Sequence, residues 1–510
     1  MNMKRILFYF LILTFIGCSI SSQVSETEKQ NSYTQELSEI QRQITSLESL
    51  AQIDSITKIR SCPDYILKSK LDSLIAEYEK EGIKIGVVIA NAETESSFIY
   101  TYNNNQLFCP ASNQKIFTAF LGLTYLKQNY RFQTKLYYTG KIRNHNLYGN
   151  LYLKGGGDPT LSYIDFYDFL LMIQRYGIKA VEGNLILDDT FFCDSKFGKG
   201  WMWDDVKYSH CKEISALSLN QNCIRIIVLP TEIGELAHIE LYPPSPIVNI
   251  KSIARTSKYK NSIRFYQDWE NDLNKISVSG YIKKDNPAIT KKINISDPTL
   301  HTGKTFAYFL KNNGIKLSGK VIVDKVPKSA KVLYRYYSDD LFHILKDAMK
   351  YSDNFYSEMI IRTIAAEIDS GKSVVKFLDT FSDSILHDYK LRMVDGSGLS
   401  RYNLISPTEI VTILNKAYQD ISIRPEFMSL LPISGFDGTI SRRLKDRKYR
   451  IRAKTGAMTG ICSLSGYAFT DDGVKSFSIM MEDYLLPTWQ IRLWQDNICR
   501  IIIDNYSRVR

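Results

Sequence analysis

Ser112 and Lys115 stand three residues apart in the stretch Pro110-Ala-Ser-Asn-Gln-Lys-Ile-Phe-Thr118, at the start of an apolar run. At that spacing both side chains lie on one face of a helical turn. A lysine whose charge is disfavoured by burial or by a second cation can take the serine's proton, which makes a nucleophile without histidine. Alone the pattern is common by chance. Here two further strings follow in order, Ser352-Asp353-Asn354 and Lys454-Thr455-Gly456. In such a set Ser112 would attack a carbonyl carbon to form an acyl-enzyme, with neutral Lys115 as general base. Ser352 and Lys454 could relay the proton to a leaving amine, and Asn354 could bind a peptide group and orient Lys115. Lys454-Thr455-Gly456 reads as a strand beside the site, able to take an extended peptide along its edge. Gly456 would allow close backbone approach, and Lys454 and Thr455 would hold a terminal carboxylate. The N–H of Ser112, with one from the strand near Met458, would make an oxyanion hole. Taken singly, Ser352-Asp-Asn is as well read as a helix cap and Lys-Thr-Gly as a turn; the ordered triple is what carries the chemistry.

The elements that must position these residues follow from periodicity. Residues 64–81 have a helical pattern, 84–91 and 97–102 are strand-like, and the Ser112 helix comes next. From Tyr130 the texture changes to short alternating strands, so 131–297 is expected to be a mostly β insertion. A smaller unit nests inside it at about 229–290, with strands at 236–241, 262–266 and 276–282. Gly155-Gly156-Gly157-Asp158-Pro159 reads as a tight turn, since a phosphate loop would need the Gly-Lys-Ser/Thr ending that is absent. The catalytic domain is then expected to comprise 61–130 plus 298–510. Its end is strand-rich at 450–482, and a helix at 487–503 should pack back on the N-terminal strands. The fold class is α/β, of the α+β kind.

The chain has 510 residues, 44% of them hydrophobic, and a formal net charge of +11. That length argues for more than one domain, and the composition excludes a disordered or fibrous protein. No nucleic-acid motif accompanies the positive charge. Arg442, Arg443, Lys445, Arg447, Lys448, Arg450 and Arg452 crowd the approach to Lys454; a solvated face or a raised potential for an anionic polymer would both account for them. Lys4 and Arg5 precede an apolar run from Ile6 to Ile16 and then Gly17-Cys18-Ser19. This is a signal segment, 1–17, with a lipobox-like end, so lipidation of Cys18 is expected. Residues 18–60 follow as a polar tether and one amphipathic helix marked by Leu37, Ile40, Ile44 and Leu47. The other seven cysteines contain no C-x-x-C. Cys193, Cys211 and Cys223 are spaced so that a disulfide is permitted but not assigned. The six histidines stand singly, and the expected chemistry uses no metal and no cofactor.

The ordered motifs, together with Gly156-Gly-Asp-Pro-Thr-Leu161, Gly183-Asn-Leu-Ile-Leu-Asp188, Gly200-Trp-Met-Trp-Asp-Asp205 and Asp395-Gly-Ser-Gly-Leu-Ser-Arg401, resemble the low-molecular-mass class C penicillin-binding proteins, the D-alanyl-D-alanine carboxypeptidase/endopeptidase family. The resemblance spans roughly 62–505. The 240 positions between Ser112 and Ser352 match that family's insertion. It implies a penicillin-binding-protein/serine β-lactamase-like transpeptidase domain that cleaves terminal D-Ala-D-Ala bonds, D-Ala crosslinks, or both. Peptidoglycan stem peptides would be its substrates and β-lactams its inhibitors, on the periplasmic side of the envelope. It also implies a subsite for the stem's amino-acid side chain, carried over to Arg401 and Asp205, with Thr459 beside them. Ala457-Met458 after Lys-Thr-Gly and His210 depart from the family pattern. A β-lactamase-like hydrolase and a catalytically silent wall-binding scaffold are the rival readings.

Overall fold

The computed structural model describes residues 62–94, 98–368, 373–385 and 391–506, with a few positions between 35 and 46. The expected signal segment, Cys18, Leu37, Ile44 and Leu47 lie outside the described residues; Ile40 lies in a described helical stretch, 38–43.

Five antiparallel strands make the central sheet, in the order Phe98–Tyr102, Lys84–Asn91, Gly473–Glu482, Ile461–Thr470, Ile451–Met458. The run Ile-Gly-Val-Val-Ile-Ala within Lys84–Asn91 is continuously apolar because both faces of the strand are covered. Ile85, Val87 and Ile89 meet Leu67, Leu71 and Ile75 of the helix Pro63–Glu79. Ile498 and Ile502 of the last helix, Thr488–Asn505, close the same layer, as expected from the sequence. Val88 and Ala90 point the other way, onto Val411 of the helix Pro407–Gln419. That helix opens on a capping box: Ser406 Oγ accepts from the Glu409 N–H at 3.3 Å, and the Glu409 carboxylate accepts from the Ser406 N–H at 2.6 Å. The Ser-Pro-Thr-Glu string states this start plainly. Gln114–Leu121 is buried on every side. It is the axis of a second core, in which Ile116, Phe117 and Phe120 pack with Leu345, Ile360 and Ile364.

The insertion has its own five-stranded mixed sheet, in the order Val321–Val323, Leu185–Asp188, Leu151–Lys154, Arg131–Tyr138, Lys331–Asp340. An aromatic core lies over it, with the Phe166 and Phe306 rings edge to face at 4.8 Å. This corrects the expected boundary at 297. The helix Pro298–Asn312 buries Phe306, Phe309 and Leu310 in the insertion's core, and the strand Lys331–Asp340 pairs with Arg131–Tyr138. We therefore place the end of the insertion at about Asp340. The helical texture after Leu300 hid this, because a covering helix belongs to the sheet it covers. The nested unit is wider than expected. Its strands run from Cys223 to Asn294 around Ile224, Ile226, Val228, Ile276 and Val278. Gly280, at φ +96, divides the expected strand 276–282 into Asp272–Ser279 and Tyr281–Lys283.

The expected tight turn does not form: 155–158 run on from the strand Leu151–Lys154 as irregular backbone, with a bend only at Pro159. Gly155 and Gly157 give their N–H groups to the Asp188 and Ala216 carbonyls, and a Cβ on Gly155 would stand 2.2 Å from the Ala216 carbonyl oxygen. Much of the basic run near Lys454 is tied down. Arg443 Nη2 bonds Asp496 at 2.8 Å, Arg447 bonds Asp504 at 2.8 Å, and Arg450 bonds Asp471 at 3.2 Å. These arginines brace the last helix and a hairpin. Cys193, Cys211 and Cys223 form no disulfide.

Candidate active site

Ser112 sits in a single 3-10 turn, Ala111–Asn113, directly before the helix Gln114–Leu121. Ala111 holds a left-handed φ of +46, a strained conformation for a residue with a side chain. The turn is pinned to the sheet. Ser463 Oγ donates to the Pro110 carbonyl at 2.7 Å, and Asn113 Nδ2 donates to Ser465 Oγ at 2.7 Å. A Cβ on Gly456 would come 2.2 Å from Ser463 Oγ and 2.7 Å from the Pro110 oxygen. The glycine of Lys-Thr-Gly thus allows close approach, and what approaches is the protein's own turn that carries Ser112.

Lys115 is 1% exposed. Its Nζ donates to Ser112 Oγ at 3.1 Å, to Asn354 Oδ1 at 2.7 Å and to the Ser397 carbonyl at 2.6 Å. Burial lowers its pKa to about 8, against the opposing pull of Asp395, Asp353 and Glu358. Lys454, also buried, donates to Ser352 Oγ at 2.8 Å and to the Thr455 carbonyl at 2.9 Å. Burial pushes its pKa well below the usual lysine value, and the Lys115 charge adds to the effect. Ser352 takes φ +60 between two helices, Leu341–Lys350 and Asn354–Ile368, which turns its hydroxyl toward Lys454. Asn354 Nδ2 donates to the His210 carbonyl at 3.0 Å, so His210 contributes its backbone here while its ring stacks on Tyr208. Thr455 Oγ1 donates to Thr439 Oγ1 at 2.8 Å.

All of this opens into a cleft of about 530 Å3. Ser112, Ser352 and Asn354 line it with Asp205, Arg401, Met458 and Thr459, so residues from both ends of the chain and from the insertion converge. Arg401 Nη2 donates to the Thr459 carbonyl at 3.3 Å, and Asp205 lies 3.9 Å from His210 Nε2. Ala453 gives its N–H to the Pro432 carbonyl on the open edge of its strand. Side alternates along a strand, so Thr455 and Ala457 present their N–H groups to that same edge. Met458, opposite Ile461, has its N–H directed into the sheet. The open-edge donor nearest the expected one is therefore Ala457, and Met458 lines the cleft with its side chain.

Three residues that hold Lys115 in place, Ser397, Glu358 and Asp395, had no role assigned from the sequence. Glu358 Oε1 accepts from the N–H groups of Gly396 at 3.0 Å and Ser397 at 2.8 Å, which aims the Ser397 carbonyl at Lys115. Asp395 accepts from the Gly398 and Ser400 N–H groups, from Asn403 Nδ2, and from Trp201 Nε1 of the insertion at 3.0 Å. Burial first, with the Asp395 charge adding, raises Glu358 to about 7. The available signal was Glu358 itself: an acid one helical turn past Asn354, in an otherwise apolar stretch.

Residues 67–493 match the D-Ala-D-Ala carboxypeptidase 3 (S13) family. Among curated relatives, the D-alanyl-D-alanine carboxypeptidase DacB of Haemophilus influenzae is 27% identical over 78% of this chain and 84% of its own length. The D-alanyl-D-alanine carboxypeptidase of Actinomadura sp. (strain R39) is 28% identical over 82% of each. Among solved structures, penicillin binding protein 4 (dacB) from Haemophilus influenzae superposes with a TM-score of 0.71 at 25% identity, covering 85% of this chain and 99% of that one. With the three motifs gathered in one cleft and the match spanning catalytic domain and insertion together, the chain belongs to the D-Ala-D-Ala carboxypeptidase 3 (S13) family.

Proposed function

We propose that this serine-type D-Ala-D-Ala carboxypeptidase cleaves peptidoglycan stems through an acyl-enzyme on Ser112. The observation that carries the reading is Lys115 Nζ, held at once on Ser112 Oγ, Asn354 Oδ1 and the Ser397 carbonyl in a buried site. In its neutral form the amine keeps a lone pair for the serine proton. Oγ then attacks the penultimate D-Ala carbonyl, and the oxyanion rests on the N–H groups of Ser112 and Ala457. Ser352, bonded to Lys454, passes a proton to the departing amine. Lys454, Thr455 and Thr439 receive the terminal carboxylate. Water repeats the sequence against the ester, with Lys115 again as base. Digestion of purified muropeptides, read by mass, tests the whole. Loss of terminal D-Ala, or opening of D-Ala crosslinks, is expected, and penicillin should block it. Muropeptides left unchanged would reject the reading. A labelled penicillin ester that lasts minutes or longer separates it from a β-lactamase-like hydrolase.

The side-chain subsite is read the same way. Arg401 suits a carboxylate and Asp205 an ammonium, as a zwitterionic diaminopimelate end presents. Arg401 stands exposed at the rim, so its effect is set at the level of one charge-assisted contact, about 1.5–3 kcal/mol, or roughly 10- to 100-fold. Arg401→Ala and Asp205→Ala should lower kcat/KM for stems with a free zwitterionic side chain by that amount. Turnover of a simple acyl-D-Ala-D-Ala should hardly change. Equal losses on both substrates would make the pair structural.

The chemistry places the enzyme in the cell envelope, and Gly17-Cys18-Ser19 supports a lipid anchor on its periplasmic side. Cys18→Ser should move the protein from the membrane pellet to the soluble periplasmic fraction. An unchanged pellet would mean that Cys18 carries no anchor.

A further inference from the structure

A second hollow, about 230 Å3, lies where the insertion, the nested unit and the catalytic helix Asn354–Ile368 meet, and no step of the mechanism uses it. Its walls include Asn220, Gln221, Arg225, Lys292, Tyr242 and Tyr356, and no carboxylate lines it. Three features are unusual together. Asn220, Gln221 and Asn222 take φ values of 50, 59 and 53 in succession. Runs of left-handed residues with side chains are costly and persist where the surroundings impose them. The strain presents Gln221, whose Oε1 accepts from Lys292 Nζ at 2.8 Å and whose Nε2 donates to the Tyr356 hydroxyl at 2.9 Å.

The second feature is an uncompensated row of cations. Lys292 and Arg225 are direct cross-strand partners, an arrangement that like charges disfavour. The Arg225 side chain makes no hydrogen bond or ion pair among the described residues, and faces the Tyr242 ring at 6.0 Å. Behind them Lys212 is 4% exposed. It too forms no ion pair among the described residues, and meets Gln221 Oε1 at 3.5 Å and the Phe355 ring at 5.2 Å. Lys292 is exposed, yet partial desolvation holds its pKa below the usual lysine value; the Lys212 and Arg225 charges add to this, against the opposing pull of Cys223 and Asp353. The Asp353 charge acts on Lys292, and one Asp353 oxygen accepts from the Tyr356 N–H at 3.0 Å, which caps the helix.

The third feature is position. Tyr356 walls this hollow and Asn354, two residues before it, walls the active-site cleft. The two openings are thus separated by about one helix diameter, roughly 10 Å. A polymer bound at the cleft has further groups within that reach.

We infer that this hollow is a second docking site of the enzyme, binding a carboxylate of the peptidoglycan polymer beside the stem under cleavage. Arg225 and Lys292 supply the charge, and Asn220, Gln221 and the two tyrosine hydroxyls supply the polar contacts. The inference rests on peptidoglycan being the substrate. Its test is co-sedimentation of the full chain with purified sacculi in the cold, native or with their carboxylates amidated by carbodiimide and glycinamide. Wild type should bind native sacculi about tenfold more tightly than amidated ones. Arg225→Gln/Lys292→Gln should lose most of that preference, keeping only the part that Arg401 and Lys454 contribute at the cleft. A charge-matched control, Lys258→Gln/Lys260→Gln, should behave as wild type, which sets general basicity aside. Penicillin labelling of Ser112 should keep its rate in every variant, and it reports separately on the active-site reading. Arg225→Gln alone, at an exposed position, repeats the comparison should the double variant label poorly. Equal binding by the control and the Arg225 variants would overturn the inference. So would wild type that does not distinguish amidated sacculi.

Discussion

Ser112→Ala is expected to abolish covalent labelling by penicillin and to reduce turnover on the order of 10^6-fold, the scale seen when a nucleophile that works as part of a unit is removed. Oγ is the atom that must bond to carbon, and alanine supplies none. Stability should hardly change. The turn is held by Pro110 and Asn113 contacts with the sheet, and the Ser112 hydroxyl has Lys115 as its partner. The check is a gel with fluorescent penicillin beside a thermal melt. Labelling that persists in a folded variant would move the nucleophile elsewhere.

Lys115→Arg should be nearly as damaging. A guanidinium stays charged to about pH 12 and has no lone pair to take a proton. Its fork also does not fit a position where one nitrogen meets three acceptors in a buried space. Loss of a general base typically costs 10^2- to 10^4-fold, and misfit in this core should bring the result to the upper end. The wild-type pH profile carries the same information. With Lys115 near pKa 8, the active neutral form grows as pH rises. Acylation should climb about tenfold per unit below pH 8 and level off above it. Removing the carboxylate that positions the Ser397 carbonyl, by Glu358→Gln, should move that profile rather than merely scale it. A flat profile between pH 6 and 9, or near wild-type acylation by the arginine variant, would assign the base to another group.

Sequence reading and structure agree where the determinants are local. Ser112 and Lys115 share a helical turn because three residues of helix bring them there, and that can be read from two letters. Ser406-Pro-Thr-Glu409 states its own helix start, and the apolar run at Lys84–Asn91 states a strand covered on both faces. The order of the three motifs, the mostly β insertion and the family likeness are of the same kind, since each is a pattern along the chain. Open-edge donors could be named only once a contact fixed the strand's parity: Ala453 bonding Pro432 puts the N–H of Ala457, rather than that of Met458, on the open edge.

Tertiary structure decided the rest. Lys115 is suited to act as a base only because it is buried and because Asn354 and Ser397, more than two hundred residues away in the chain, receive it. Desolvation has no sequence period, so no spacing announces it. Glu358 and Asp395 act on Lys115 through the turn at 396–400, two contacts removed from the chemistry. The arginines beside Lys454 look like a potential for an anionic polymer until Asp496, Asp504 and Asp471 are seen to meet them. The insertion's true end, near Asp340, is set by a strand that returns to pair with Arg131–Tyr138. The Ser112–Lys115 pairing and the order of the motifs are written along the chain, and the sequence alone determined them. Protonation state, charge compensation and domain limits are properties of groups brought together by folding, and they were settled by the fold.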